Sequence, residues 1–521
     1  VTAQGIRRTA TGDESKPDEL HLGRTDYLLL ISLAALALVG VYDLSQRALE
    51  EVAVLEVAPE IRDINPNSIA VLPLENLSPD STERYFVTGM YDSLISNLGK
   101  INALQVTSRT SASRVNTSQG IPYIGRKLGV AKVIEGAVLR EGNRVRISVK
   151  LIDAASDQHI WSETYERPFD DVMAIQASVA RTVARIIQAR LTAQDEDQLA
   201  RVLNIRPQTF ESYLRAMFQY RKETQEGYQS GIDILEEALA NDPTSALAYA
   251  ALAQGYMELV HSVLPKMEAT KRARIAIEKA IELDPTLAEA HLALGLHQLY
   301  GDWNIKAAKD SLKRAMELNP SLADAWYHWA WLLEIAGDDE EAISAGEKTV
   351  ELSPLSSFYV AWLADQYRDA GDYEKAIELA ESVIALSPGY PVAWLVLGGV
   401  YGEQGRFDEA IAAHEHLAGL PYWEFALGQT YAWAGQPEKA LEIAKGYEQE
   451  PSKGIALAII YAALGDVDKT LYWSKHAREK KFAWAIGLFS YFTATRSLLE
   501  DARIRSEAEQ YPVPLVPYPK D

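Results

Sequence analysis

The spacing of apolar residues divides most of the chain into two kinds of region. From Val145 to Leu151 every second residue is apolar, which is typical of a strand with one buried face. Between Tyr85 and Leu98 apolar residues recur every three or four positions, as on one side of a helix. This mixture predicts a small α/β domain over residues 67–192. The helical spacing alone continues through residues 207–481.

Short apolar runs and a turn complete the predicted α/β domain. Ser68–Leu74 is apolar enough to be a buried strand, and the turn Glu141-Gly142-Asn143 predicts a hairpin. On the polar face of this hairpin lie Arg144, Arg146 and Lys150. These basic residues form either a solvated sheet face, neutralised by cross-strand partners such as Glu135, or a binding site for an anion.

The helical region repeats itself with a period near 34 residues. Turn glycines fall at positions 301, 337, 371, 405, 435 and 465, and prolines at 243, 285, 320, 354 and 388. This is the period of the tetratricopeptide (TPR) repeat, a pair of antiparallel helices. The sequence therefore predicts an all-α TPR superhelix of about eight helix pairs over residues 207–481. A capping helix, from Ala483 to about Leu499, and a tail complete residues 482–521.

In a TPR stack the first helix of each pair lines a concave groove, where a partner can bind. Projection of the repeat register places nine candidate residues on this surface: Asp324, Tyr327, Trp331, Glu334, Phe358, Asp365, Arg368, Asp369 and Glu403. An acidic groove with aromatic walls favours an extended or helical peptide of basic character. The alternative is that Tyr327 and Trp331 pack between repeats. If the residues bind a partner, replacing Trp331 and Arg368 by alanine should leave thermal stability nearly intact.

A short apolar run near the start predicts a membrane span. Tyr27–Tyr42 contains no charged residue and would cover roughly 24 Å as a helix, close to the thickness of a bilayer core. We interpret residues 24–46 as a single transmembrane helix between a flexible stub (1–22) and a linker (47–66). A buried helix or a cleaved signal peptide fits less well, because the flanks are polar and no small-residue cleavage site follows. More Lys and Arg precede the run than follow it, which predicts a cytoplasmic N-terminus.

Composition and motifs argue against several classes of function. The chain has no cysteine, which excludes disulfides, iron–sulfur clusters and thiol catalysis. Its net charge of −22 repels phosphate backbones, so we predict that this chain binds no nucleic acid. Nucleotide-loop, nucleophile-elbow and zinc-protease motifs are absent from the sequence. His414 and His416 point in different directions on a helix and cannot easily share a metal. We therefore predict no cofactor, no metal and no enzymatic activity.

Several strings of the first folded segment resemble a known bacterial module. The strings SIAVLPLENLSPD, YFVTGMYDSLISNL, LQVTSRTS, IGRKLGVAKVIEGAV and HIWSETYER are similar to the TolB-amino-terminal-like (FlgO-like) domain of bacterial membrane-anchored TPR proteins. The resemblance departs from the usual pattern at Leu74 and at Val115-Asn116-Thr117. It implies an α+β multidomain protein of the bacterial inner membrane, with a TPR array after the α/β domain. The excess of Lys and Arg before the predicted span places the bulk of such a chain in the periplasm.

Two functions stay open at this point. The first is a non-enzymatic membrane-anchored scaffold that binds proteins or peptides through the TPR groove and contacts the membrane through residues 27–42, with homo-oligomers possible. The second is the sensory half of a signalling receptor. The resemblance implies this because the module is joined in its family to cyclase, winged-helix or kinase domains. The chain begins with Val1 and not with Met, so we expect it to be a fragment or a processed product.

Overall fold

The structure is a computed structural model of the 521-residue chain. It describes residues 64–79, 83–201, 205–222, 224–259, 266–420 and 422–515. The chain divides into two units, residues 1–57 and 58–521, and the described residues all belong to the second unit. The predicted stub, the predicted span and the linker up to residue 63 lie outside the described residues. Within the part that is described, no helix is long and apolar enough to cross a bilayer.

A mixed sheet forms the centre of the α/β domain. Its strands have the order β3-β1-β4-β5-β6, and the short β2 pairs with β4. The strands are β1 Ser68–Val71, β2 Glu75–Asn76, β3 Gln105–Val106, β4 Lys132–Glu141, β5 Arg144–Asp153 and β6 His159–Pro168. The hairpin predicted around residues 141–143 is the antiparallel pair β4–β5. Arg144 and Arg146 both pair with Glu166 of β6, and Lys150 lies opposite Glu135, so acids neutralise the basic stripe.

Helices cover both faces of this sheet. On one face lie α1 (Arg84–Gly99) and α4 (Val172–Ile186), and on the other lie α2 (Arg109–Arg114) and α3 (Ile121–Leu128). Strand β1 therefore has two buried faces, which is why its sequence is a continuous apolar run without alternation. Helix α5 (Ala193–Arg201) then leads to the array.

Within the described residues, sixteen helices, α6 to α21, form eight successive antiparallel pairs. In order, the pairs are Pro207–Tyr220 with Gln225–Asn241, Ala246–Leu259 with Lys266–Leu283, Ala288–Leu296 with Ile305–Leu318, Ala323–Ile335 with Asp339–Leu352, Ser357–Asp369 with Tyr373–Leu386, Pro391–Glu403 with Phe407–His414, Phe425–Trp433 with Pro437–Tyr447, and Gly454–Ala463 with Val467–Glu479. The protein is thus mostly helical with a TPR-like superhelix and a small sheet domain, which confirms these two parts of the predicted fold class. The predicted transmembrane helix lies outside the described residues.

Glycines make most of the turns inside these pairs. Gly337, Gly371 and Gly405 have φ of 79°, 81° and 74°, values that residues with a Cβ rarely adopt. The prediction is wrong at Gly301, because the first helix of pair 3 continues there as a π-helical turn, His297–Asp302. Trp303 takes the left-handed conformation instead, with φ 59°. The centre of its ring lies 5.7 Å from the centre of the Tyr511 ring, and this packing stabilises an otherwise costly backbone conformation.

The α/β domain packs against one edge of the array. The Val106 amide donates to Ser321 Oγ at 3.0 Å, and the Leu355 amide donates to Ser111 Oγ at 2.9 Å. Helix α1 also lies against the first helix of pair 1. An added Cβ on Gly89 would come within 2.6 Å of the Leu214 side chain. The two predicted domains therefore share an extensive, specific interface.

The C-terminal segment, residues 482–515, differs from the single capping helix that the sequence predicted. It consists of a 3₁₀ turn, Ala483–Gly487, and two short helices, α22 (Thr493–Arg496) and α23 (Ala502–Ala508). From residue 485 to residue 491 every position is buried, with Ile486, Phe489 and Tyr491 each under 5% exposed. A stretch surrounded by protein gains little from the polar face of an amphipathic helix. Helix α23 instead buries only Ile504 and Ala508 and exposes its other face.

Candidate functional site

The nine predicted groove residues lie on the first helices of pairs 4, 5 and 6, and their exposure separates them into two sets. Asp324 and Phe358 are exposed, Phe358 by 40%. The other seven have side chains that are less than a tenth exposed: Tyr327, Trp331, Glu334, Asp365, Arg368, Asp369 and Glu403. The expectation of an open groove is therefore wrong for these seven residues.

Aromatic side chains of the C-terminal segment cover the middle of the concave surface. Trp331 is only 1% exposed, and its ring lies 5.0 Å from the rings of both Trp484 and Tyr491. Trp484 also stacks on Trp362 at 5.5 Å. The repeat register correctly places Trp331 on a first helix, but it carries no information about a distant segment that returns to cover it.

Polar contacts hold the same segment to the groove. The Tyr491 hydroxyl donates to Asp365, and Thr493 Oγ1 donates to Glu403 at 3.1 Å. Nη1 of Arg496 lies 3.5 Å from Oδ1 of Asp369, on the first helix of pair 5. The chain thus fills this half of its concave surface much as a bound peptide would.

Buried charges lie beneath this segment, with acids in excess. Four carboxylates face two guanidinium groups: Glu334, Asp365, Asp369 and Glu403 against Arg368 and Arg496. The closest ion pair joins Arg368 and Asp365 at 2.7 Å. Burial raises the pKa of Asp369 to about 7 even though both arginines lower it, and burial raises the pKa of Glu334 well above its usual range. These groups stabilise the packing of the C-terminal segment on the concave surface best when some of the acids are protonated.

The other half of the concave surface is open. A groove of about 430 Å³ crosses the first helices of pairs 1 to 4. Its apolar lining includes Met217, Leu247, Met257, Leu292 and Leu296. Its polar lining includes Gln254, Glu258, Glu289, Asp324 and His328, and none of the described residues that line it is a lysine or an arginine. The open groove is therefore apolar and acidic.

Two carboxylates of the open groove have no ion-pair partner among the described residues. The Tyr359 hydroxyl donates to Asp324 Oδ1 at 2.5 Å, and the Ser96 hydroxyl donates to Glu289 Oε1 at 3.0 Å. The second oxygen of Glu289 is buried with no hydrogen-bond partner in the described part of the chain. The nearby His328 does not compensate these charges, because burial lowers its pKa to about 3 and keeps it neutral.

Sequence reasoning missed the part of the groove that lies before pair 4. Glu289 is the second residue of its helix, as Asp324 is in the next pair, so the register used for Asp324 also identifies Glu289. The long connection between the helices of pair 2 interrupts the 34-residue period, so the register is less clear before pair 3. Glu289 and Asp324 nevertheless occupy the same register position.

The two histidines of the sequence His414-Glu415-His416 have separate structural partners. His414 is 2% exposed, and its ring nitrogens lie 2.8 Å from Thr430 Oγ1 and 3.1 Å from the carbonyl oxygen of Leu395. Burial lowers its pKa to about 4. His416 instead stacks on the Trp394 ring at 3.7 Å. His414 serves to pack pair 6 against pair 7.

Comparison with protein families supports the repeat assignment. The family described as tetratricopeptide repeat matches residues 304–357 and 367–419. A family model described as the second domain of HilA/YgeH-like transcriptional regulators matches residues 65–181, which form the sheet domain. The relation of that domain to the TolB-amino-terminal-like family stays a prediction.

Two curated proteins and one solved structure illustrate the similarity. A Rhizobium meliloti protein named "Putative adenylate cyclase 3" is 30% identical over 234 residues, which are 44% of this chain and 40% of that protein. Transcriptional regulator HilA of Salmonella typhimurium is 22% identical over 311 residues, 58% of this chain and 53% of that protein. The crystal structure of yeast Tom70 aligns at 14% identity with a TM-score of 0.36, over 66% of this chain and 82% of Tom70. The chain spans about half the length, or less, of these curated relatives.

Proposed function

We propose that this protein is a non-enzymatic scaffold that binds a segment of another protein in the open half of its concave groove. The observation that carries the proposal is that the groove over pairs 1 to 4 is open, while the chain itself fills the rest of the same surface. TPR proteins bind peptides or proteins, and the repeats support this class of function here. A concave surface with an apolar lining and a few placed polar groups is typical of a recognition site.

The scaffold is anchored in a bacterial inner membrane, with its N-terminus in the cytoplasm and its folded part in the periplasm. The uncharged run Tyr27–Tyr42 and the excess of Lys and Arg before it support this part of the proposal. The net charge of −22 favours protein partners over nucleic acid.

Peptide selection tests the scaffold function directly. A random dodecamer phage library is selected against the full chain in detergent, and against a Gln254→Trp variant. Gln254 is exposed and lines the groove, so an indole there should block the groove without disturbing the core. The matched control is Gln229→Trp, an exposed glutamine on a second helix. We expect peptides that bind the wild type and the control but not the groove variant. Enrichment that is equal on all three proteins would contradict the proposal.

A second candidate function is the sensory half of a signalling receptor. It is favoured by the matches to one protein named as a cyclase and to another named as a transcriptional regulator, each of which extends well beyond the matched region. The test is to express the complete natural reading frame and to measure cyclic nucleotide production with and without a selected groove peptide. Output that changes on peptide binding supports the receptor, and a reading frame without any output domain excludes it.

A further inference from the structure

We infer that the open groove binds an extended basic segment of the partner, in which two basic residues three positions apart are each flanked, at the same spacing, by an apolar residue. This inference rests on the proposed scaffold function and specifies the partner of the same site.

Equivalent residues of four consecutive pairs form one row along the groove. The second residue of each first helix is Leu247 in pair 2, Glu289 in pair 3, Asp324 in pair 4 and Phe358 in pair 5. The first three line the open groove. Phe358 continues the row as a 40% exposed ring that lies 5.3 Å from the ring of Tyr359. The row therefore presents an apolar, an acidic, an acidic and an aromatic side chain in turn.

The spacing of this row sets the spacing of the ligand. Neighbouring helices pack about 8–10 Å apart, so successive members of the row are separated by about that distance. A chain in the extended polyproline II conformation has three residues per turn and advances about 3.1 Å per residue, so every third residue lies on the same side, about 9.3 Å further on, and meets the next member of the row. The complementary ligand therefore places an apolar, a basic, a basic and an apolar residue at intervals of three.

The spacing of the row also favours an extended chain over a helix. Side chains on one face of a helix recur about every 5.4 Å, which does not match members of the row that are about 8–10 Å apart. A polyproline II chain presents one side chain to each member of the row.

Charge complementarity selects basic residues for the two central positions. Glu289 and Asp324 have no ion-pair partner among the described residues, and no described lysine or arginine lines the groove. Each carboxylate keeps one oxygen beyond its single neutral hydroxyl donor. A guanidinium or ammonium group from the partner would supply the missing countercharge at both positions.

Synthetic peptides of defined spacing test the inference on the full chain in detergent. The first peptide has ten residues, with leucine at position one, arginine at four and seven, phenylalanine at ten and serine elsewhere. The second has the same composition with the two arginines adjacent, and the third carries citrulline in place of arginine. Fluorescence polarisation measures the affinity of each for the wild type, for the double variant Asp324→Asn with Glu289→Gln, and for the control Asp310→Asn with Glu340→Gln. The control carboxylates are exposed on second helices.

We expect the first peptide to bind at least about tenfold more tightly than the other two. The acidic-row variant should lose that advantage, the control variant should keep it, and added salt should weaken it. Equal binding of the three peptides, or no effect of the acidic-row variant, would overturn the inference. The scaffold function would survive that result if library peptides without basic residues still depend on Gln254, and would fail with it if no peptide does.

Discussion

Replacement of Trp331 by alanine is the sharpest test of the filled groove. The indole is 1% exposed and contacts Trp484 and Tyr491, and a Cβ on Gly487 would lie 3.6 Å from it. Removing a fully buried tryptophan side chain costs about 3–5 kcal/mol. The indole nitrogen has no hydrogen-bond partner among the described residues, so the loss comes from packing alone. The two lost ring pairs place the expected value near the middle of that range, about 4 kcal/mol.

Urea unfolding followed by circular dichroism measures this loss, and limited proteolysis shows where the variant opens. We expect faster cleavage between Phe482 and Leu515, because Trp331 forms part of the surface on which that segment packs. The matched control is Trp394→Ala. Trp394 is only half-buried, and it makes its ring contact with His416 and its hydrogen bond with the carbonyl oxygen of Pro388, both outside the C-terminal segment. Its loss should cost about 1–2 kcal/mol and leave the cleavage rate unchanged.

The outcome also separates the two readings of the concave residues that the sequence left open. If Trp331→Ala lowers the free energy of unfolding by less than about 1 kcal/mol, the ring is not covered by the C-terminal segment and the groove is open throughout. A loss of about 4 kcal/mol with a freed segment shows instead that Trp331 supports the fold and that any partner binds elsewhere.

Three further predictions concern a buried acid, a close contact between helices and the membrane topology. The pKa of Asp369 is about 7 in the folded protein, above its usual value in an unfolded chain, so the unfolded chain loses that proton first. The urea midpoint should therefore fall as pH rises from about 4 to about 7, and Asp369→Asn should flatten this decline; an unchanged profile in the variant would assign it to other groups. In Gly398→Ala the added Cβ would lie 2.2 Å from the His414 ring, which should cost about 1–3 kcal/mol. Gly446→Ala, on an exposed helix face with nothing within 4 Å, should instead gain up to about 1 kcal/mol, and equal effects in thermal melts would refute the close approach. Because the chain has no cysteine, Ser118→Cys and Ser15→Cys report topology unambiguously. An impermeant maleimide should label Ser118→Cys in intact spheroplasts and Ser15→Cys only after permeabilisation, and the reverse pattern would invert the proposed orientation.

Local patterns predicted the repeated part of the fold well. The turn glycines 337, 371 and 405 were recognised because a left-handed turn conformation strongly selects glycine, and that selection is visible in the sequence. Strand β5 was recognised because one of its faces is buried and the other solvated, which imposes strict alternation. Gly301 misled the prediction because tertiary packing around Trp303, and not local preference, decides the turn of pair 3.

The same reasoning explains why the site was predicted only in part. Asp324 and Phe358 are exposed, as the repeat register predicts, because their exposure depends on their own helices and the neighbouring ones. Their role in binding a partner stays a prediction. Trp331 and Arg368 were predicted to face a partner, because the register assigns them the same concave face. Their burial depends on residues more than a hundred positions later in the chain, such as Tyr491. No periodic pattern encodes a contact of that kind.

The filled half of the groove and the open half have complementary consequences. A TPR stack that ends abruptly exposes an apolar surface, and the returning C-terminal segment buries that surface in one continuous core. The proposed binding is thereby confined to the half of the groove that borders the α/β domain. There the Ser96 hydroxyl of helix α1 donates to Glu289, a member of the acidic row. A partner that pairs with Glu289 must therefore share that carboxylate with Ser96 of the α/β domain. Partner binding in the groove would then change a hydrogen bond at the interface between the two domains. The same contact would serve a scaffold, by coupling binding to the domain interface, and a sensor, by transmitting binding to the α/β domain.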